Sequence, residues 1–253
     1  MTTRMMTAIA TGALGLAAIG SSQAADFSFR IGGGSWDQNL SGQYADEGSK
    51  SFDLEDDAGL SGSSNGYLYA QLEHPVFLLP NIRLERSSFD EDGRGTFRRE
   101  IDFGGKTYNI DESVDSTFEI KQTDIIAYYS VLDTLVDLDL GLDVRLIDAD
   151  VSIRSRDNTK AASESVSAPV PMGYAAVRVD VPGTGAYVRA QGSGIGFDGS
   201  SFIDTRALVG YTSDFGIGVE LGYRRQELEI DDIDDIDGDV TLEGGFAGVH
   251  YAF

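Results

Sequence analysis

Between Val136 and Leu146 the chain alternates without a break. Val136, Leu138, Leu140, Leu142, Val144 and Leu146 are apolar, and Asp137, Asp139, Gly141, Asp143 and Arg145 stand between them. A period of two puts the apolar side chains on one face of a strand and the charges on the other. The segment also has the length that a tilted strand needs to cross a bilayer, about 9–11 residues. A half-buried strand of a soluble sandwich carries the same alternation, because either face can be the wet one. Period alone does not separate the two.

The pattern recurs along the chain. Phe27, Phe29 and Ile31 alternate with Ser28, Arg30 and Gly32; Leu68, Ala70 and Leu72 with Tyr69, Gln71 and Glu73; Ile82 and Leu84 with Arg83 and Glu85. Further strands are expected at 116–130, Val136–Ile147, Gly173–Val181, Ala186–Gly194, Phe202–Tyr211, Gly216–Glu227 and Val240–Phe253, which makes ten. In the first of these, Gln122 and Asp124 interrupt the apolar face begun by Phe118 and Ile120, which predicts a bulge or a strand rising above the membrane. The connections then run long (33–64), short (74–80), long (87–115), short (131–134), long (148–171), short (182–185), moderate (195–201), short (212–215) and moderate (228–239). Outer-membrane barrels have short periplasmic turns and longer outer loops, and an even strand number leaves both ends on the periplasmic side. A sandwich has no reason to sort its loops by parity. The expected fold is all-β: an antiparallel up-and-down transmembrane β-barrel of about ten strands. In its second long loop, Thr96–Phe103 and Lys106–Ile110 around Gly104-Gly105 predict a hairpin standing above the membrane.

The two ends of the chain agree with that fold. Arg4, the apolar run Met5–Gly20 and the small residues of Ser22-Gln23-Ala24 read as a cleaved secretory signal over residues 1–24, leaving 25–253 as a single barrel domain. No later stretch is apolar and long enough for a membrane helix, so any spanning part is β. At the other end, Gly245–Phe253 alternates and closes on an aromatic residue. It resembles the terminal strand of bacterial outer-membrane barrels, in which the last aromatic and the alternate apolar residues before it are read by the barrel-assembly machinery. That resemblance assigns the assembly signal to Val249, Tyr251 and Phe253.

A second resemblance is carried by short strings. Glu73-His74-Pro75-Val76-Phe77-Leu78-Leu79-Pro80-Asn81, Tyr128-Tyr129-Ser130-Val131-Leu132-Asp133 and Gly222-Tyr223-Arg224-Arg225 look like those of a family of Gram-negative outer-membrane β-barrel proteins with no established function. It implies the fold and a location in the outer membrane, and it brings no catalytic residues. In physical terms Pro75 and Pro80 fix φ and lack an N–H, so they end one strand and start the next around a rigid periplasmic turn.

Charge narrows the function. The net charge of -23 becomes -24 once Arg4 leaves with the signal, a surface that repels nucleic acid. The absence of cysteine removes disulfides, thiolate metal sites and thiol nucleophiles. The charged faces of the strands place Arg30, Arg83, Glu85, Asp137, Asp139, Asp143, Arg145, Arg178, Arg189, Asp204, Arg206, Glu220 and Arg224 towards the lumen. Eight strands already leave an interior that side chains just fill, and ten are not much wider. Opposite charges in so narrow a space pair, because an unpaired buried charge costs several kcal/mol. The expectation is a monomeric barrel in contact with outer-membrane lipid and lipopolysaccharide, with a narrow charged interior and a structural or interaction role. A small-solute or ion channel of the porin kind is the alternative, and an outer-leaflet hydrolase the third reading.

The chain is expected not to be an enzyme. Both histidines, His74 in the first short turn and His250 near the end of the last strand, belong to the periplasmic side, and neither lies in a motif that supplies a nucleophile. Asp231, Asp232, Asp234, Asp235 and Asp237 crowd the last outer loop and offer hard oxygen ligands for Ca²⁺ or Mg²⁺, which would bridge to lipopolysaccharide phosphates. The spacing fails the EF-hand rule, since Ile233 stands five residues before Gly238 where an aspartate is required. Among the aromatic residues, Tyr128, Tyr129, Tyr211, Tyr223, Tyr251 and Phe253 are expected at strand ends or on the lipid face, and Trp36 at the outer rim or in the first loop.

Overall fold

Thirteen strands follow one another in the computed structural model, which describes residues 27–45, 51–132, 134–157, 159–233 and 236–253. They are β1 (Ser28–Ala45), β2 (Phe52–Asp53), β3 (Gly62–Glu73), β4 (Asn81–Thr96), β5 (Ile101–Phe103), β6 (Lys106–Tyr108), β7 (Ser113–Leu132), β8 (Val136–Ser155), β9 (Ala161–Asp180), β10 (Ala186–Phe197), β11 (Ser200–Thr212), β12 (Ile217–Ile233) and β13 (Ile236–Ala252). Ten of them, β1, β3, β4 and β7 to β13, pair antiparallel with their neighbours in chain order, and β13 pairs with β1 to close the barrel. The closing register runs from Arg30↔Ala252 to Ala45↔Asp237. β5 and β6 form the hairpin expected around Gly104 and Gly105, whose φ values of 55° and 68° suit residues without a Cβ. The signal expected at residues 1–24 lies outside the described residues.

Which face is greasy changes with height. Near the short turns the outward residues of β8 are Leu140, Leu142, Val144 and Leu146, all exposed, while Asp139, Asp143 and Arg145 are buried inside. Higher on the same strand the outward residues are Asp148 and Asp150, and Ile147, Ala149, Val151 and Ile153 turn inward against an apolar core. β7 inverts at the same level: Ile125 and Tyr129 face out below, Glu119 and Lys121 face out above, and Lys121 stands opposite Asp148. A barrel wall in lipid needs apolar residues outside, and one in water needs them inside. The inversion therefore marks the upper edge of the membrane, and the strands continue well beyond it.

That continuation corrects several expectations. The segments 148–171, 195–201 and 228–239 are mostly paired strand, and the acidic residues from Glu229 to Asp231 lie on β12 rather than in a loop. Of the two outcomes expected at Gln122 and Asp124, β7 shows the strand rising above the membrane and not the bulge; its pairing with β8 is regular from Val114↔Ser155 to Ser130↔Asp139, and the register shifts only between Ser130 and Leu132. Gln122 and Asp124 instead lie on the same inward face as Phe118 and Ile120, below the inversion. Trp36 is buried inside the wall of β1 rather than at the rim or in the first loop, and Tyr128 is buried in the lumen rather than against lipid.

Above the membrane an apolar core fills the barrel except along β9, where residues 163–168 stay exposed on both faces. Leu54, Ala58 and Leu60 of the first loop, with Phe97, Ile101, Phe103 and Tyr108 from around the hairpin, fold onto Leu40, Phe89, Val114, Phe118 and Ile153 of the walls. The first loop is held by Asp53, whose carboxylate accepts the N–H groups of Glu55 (2.9 Å) and Asp56 (2.7 Å). Tyr108 donates its hydroxyl to the Ile153 carbonyl at 2.8 Å, which ties the hairpin to the wall.

Candidate functional site

The strands bring six charged side chains together just below the apolar core: Glu85 (β4), Asp124 (β7), Arg145 (β8), Asp204 and Arg206 (β11), and Arg224 (β12). All are buried. Arg145 donates to Asp124 (Nε to Oδ1 2.6 Å) and to Asp204 (Nη2 to Oδ2 2.5 Å). Arg224 donates to Asp204 (Nε to Oδ1 3.1 Å, Nη2 to Oδ2 2.6 Å) and to Glu85 (3.1 Å). Arg206 forms a two-pronged pair with Glu85, which also accepts from Arg83 at 2.9 Å. Gln226 joins Asp204 (2.9 Å) to Gln122 across the lumen (2.9 Å). Planar guanidinium groups bridging carboxylates in this way are among the stronger charge-assisted bonds. The Arg224 guanidinium also lies 4.8 Å above the Trp36 ring. The space left among these side chains is about 10 Å³, no more than one water.

Below this belt the lumen opens. A cavity of about 1280 Å³ faces the short-turn end, with Gln71, Asp139 and Arg189 in its lining and the turn 75–79 at its edge. Arg189 pairs with Asp139 (3.3 Å) and donates to the Tyr174 hydroxyl (3.0 Å). Arg178 pairs with Asp180 at 2.6 Å, lies 4.0 Å from Asp137 and stacks over the Tyr187 ring at 3.6 Å. Ser193 donates to Asp143 at 2.7 Å. Arg30 lines this cavity too, its Nε buried without a hydrogen-bond partner among the described residues. The turn is rigid: Val76 N–H donates to His74 Nδ1 (3.2 Å), which leaves Nε2 as the donor to the Pro80 carbonyl (3.1 Å), and Asn81 Oδ1 accepts the His74 N–H (3.0 Å).

One constellation was not visible in the sequence. Thr212, at the end of β11, places Oγ1 2.9 Å from His250 Nε2, and Glu220 Oε1 lies 3.5 Å from His250 Nδ1. Glu220 also accepts from Tyr187 (2.7 Å) and Tyr69 (3.1 Å). Five strands supply these residues, so no local motif announces them. The His250 side chain is 0% exposed. Of the acidic candidates for a cation, Asp234 and Asp235 lie outside the described residues, as do the side chains of Asp232 and Asp237. Asp231 is described: its N–H donates to Ser200 Oγ at 3.0 Å. Among the described residues no three metal-ligating side chains converge.

No family model matches the chain, and no curated protein matches it. Among solved structures it is similar to the outer membrane protease OmpT of Escherichia coli, with 8% identity and a TM-score of 0.63, over 92% of this chain and 100% of that one. The translocator domain of the autotransporter NalP of Neisseria meningitidis follows at 13% identity and a TM-score of 0.44, over 94% and 91%. The attachment invasion locus protein Ail of Yersinia pestis gives 9% identity and a TM-score of 0.41, over 90% and 99%. The first shares the fold; the other two are too far in shape to carry an argument. The closed barrel with its apolar belt is that of a Gram-negative outer-membrane protein.

Proposed function

We propose that this chain is a closed, non-conducting outer-membrane barrel, acting as a monomer, whose work is structural or interactive and lies at the outer surface. The carrying observation is the double closure of the lumen. Glu85, Arg206, Arg224, Asp204, Arg145 and Asp124 bridge it within the membrane, and the apolar core around Phe89, Phe97 and Phe103 fills it above. An ion would have to strip its water, open several charge-assisted bonds and then cross an apolar plug. This favours the closed reading over the porin-like one, which draws its support from the open cavity at the short-turn end. Planar-bilayer recording tests the choice: the proposal expects no discrete conductance steps in concentrated salt, and reproducible steps from the pure protein refute it.

Non-enzymatic action belongs to the same proposal. Both histidines lie at the short-turn end, away from an outer-leaflet substrate, and His250 is sealed by Thr212, Glu220 and Gly218. The protease among the similar structures shares the fold at 8% identity, which says nothing of its chemistry here.

A further inference from the structure

The barrel wall has a notch whose lower end, at 169–172, stands opposite the lipid-facing stretch of β8 and whose upper part lies above the membrane. β9 pairs with β8 along its whole length, from Arg154↔Ala161 to Val136↔Val179, but with β10 only from Gly173↔Gly194 to Asp180↔Tyr187. The β10–β11 hairpin turns at Asp198 and Gly199, while the β8–β9 ribbon runs on to Ser155 and Ala161. Residues 161–172 of β9 are therefore an edge, about 40 Å of strand at ~3.3 Å per residue. Among the described residues no backbone hydrogen bond reaches this edge from outside β8.

The prolines show which backbone groups are open. Pro169 and Pro171 stand opposite Leu146 and Val144 of β8. A proline has no N–H to give a ladder, so these positions point away from β8 and towards the notch. By alternation Ala161, Ser163, Ser165 and Ser167 point the same way and keep their N–H groups. The prolines thus blunt the lower part of the edge, a familiar protection of edge strands, and leave 161–168 unblunted.

The side chains there fit a partner strand. Glu164 is the one charge between Ala161 and Ala168, and both faces of 163–168 are exposed. On the inner face Val166 is 60% exposed beside Ala149 of β8. On the outer face Asp150 stands opposite Ser165 and Asp148 opposite Ser167. We infer that the edge 161–168 takes up an extended peptide segment as an added antiparallel strand. Its apolar residues cover Val166 and Ala168 on the inner face, and its basic residues meet Asp148 and Asp150 on the outer face. Backbone bonds supply affinity and the alternate side chains supply selection. The inference names the partner for the outer-surface role proposed above and rests on that role. A barrel that conducts would overturn the closed lumen and leave the edge untouched.

The test uses the folded full barrel in lipid nanodiscs and an eight-residue peptide alternating valine and lysine, with affinity read by biolayer interferometry. Ser165→Pro removes one notch-facing N–H without touching the β8 ladder, as Pro169 and Pro171 already do, and it leaves the charge unchanged. Ser165→Ala removes only the hydroxyl. Saturable binding that Ser165→Ala keeps within about twofold, and that Ser165→Pro and Ser163→Pro each weaken tenfold or more, is the expected result. Binding that both proline variants retain would be charge attraction alone and would overturn the inference, as would no saturable binding. A dimer in light scattering that Ser165→Pro dissolves would make the occupant a second copy and equally overturn the peptide assignment.

Discussion

Glu85 of β4 and Arg206 of β11 meet although their strands stand five apart whichever way the ten-stranded wall is followed, so their two-pronged bond spans the lumen at its widest. Gln122 of β7 and Gln226 of β12 span it in the same way. A bond of this kind holds opposite walls together, which neighbouring-strand ladders cannot do.

Replacing Glu85 by alanine is expected to cost on the order of 3–5 kcal/mol, because it leaves the guanidinium groups of Arg83, Arg206 and Arg224 buried with one partner fewer. Urea unfolding in lipid bilayers measures it. A loss near that of a surface substitution would show that water enters the belt and screens it. The double variant Glu85→Gln with Arg206→Met should recover part of the loss, since an apolar side chain needs no partner.

The lipid face gives an independent check. Leu140 and Val188 are exposed on the outside of β8 and β10 below the inversion. Arginine at either position is expected to cost about 2–4 kcal/mol near the bilayer midplane. The same change at Glu119, outward on β7 above the inversion, should cost little. Equal costs at the three positions would put the membrane edge in the wrong place.

At the tip of the β8–β9 ribbon Asp157 accepts from the Thr159 hydroxyl (2.7 Å), the Thr159 N–H (3.0 Å) and the Ser155 hydroxyl (2.7 Å). These donors, the Thr159 hydroxyl foremost, pull its carboxyl down from 3.8 to about 2. A depressed folded value means that the turn's stabilisation is complete above the ordinary carboxylate range and is lost as pH falls towards 2. Amide protection of Thr159, corrected for intrinsic exchange, should stay level from neutral pH to about 4 and then fall. Asp157→Asn should show the low value at every pH.

Much of this architecture is legible in the sequence where the wall touches lipid, because there only the outward face is greasy. The alternation from Val136 to Leu146 gives both the strand and its faces. It becomes ambiguous where the wall leaves the membrane. Phe118, Ile120, Gln122 and Asp124 share one inward face, but its polarity changes as the environment outside changes from water to lipid. Read by polarity alone that looks like a register slip, and the polar strands above it look like loops. Trp36 and Tyr128 are misplaced for a related reason: an aromatic ring suits a lipid interface and also caps an arginine or a carboxylate inside a lumen, as Trp36 does for Arg224 and Tyr128 for Glu73. The Thr212–His250–Glu220 contact leaves no local trace at all, since it depends on strand register across three strands.

The closing strand makes the last prediction. Phe253 exchanges two backbone hydrogen bonds with Phe29, each 2.9 Å, and the two rings lie 5.0 Å apart. Tyr251 stacks on Phe253 at 5.2 Å, and Val249 continues the exposed stripe on the lipid side. Removing Phe253 therefore takes away the lowest rung between the first and last strands, together with the aromatic end of the stripe. The belt around Glu85 and the apolar core around Phe97 lie higher and keep all their partners. Barrel closure should suffer while the closed barrel, once formed, keeps nearly its full stability. The expected outcome is a large fall in the folded fraction during assembly into membranes, with a urea midpoint close to that of the intact chain for the molecules that do fold. An unchanged folded yield would count against the terminal strand as an assembly signal, and a midpoint lowered as far as that of Glu85→Ala would mean that the last rung acts on stability rather than on assembly.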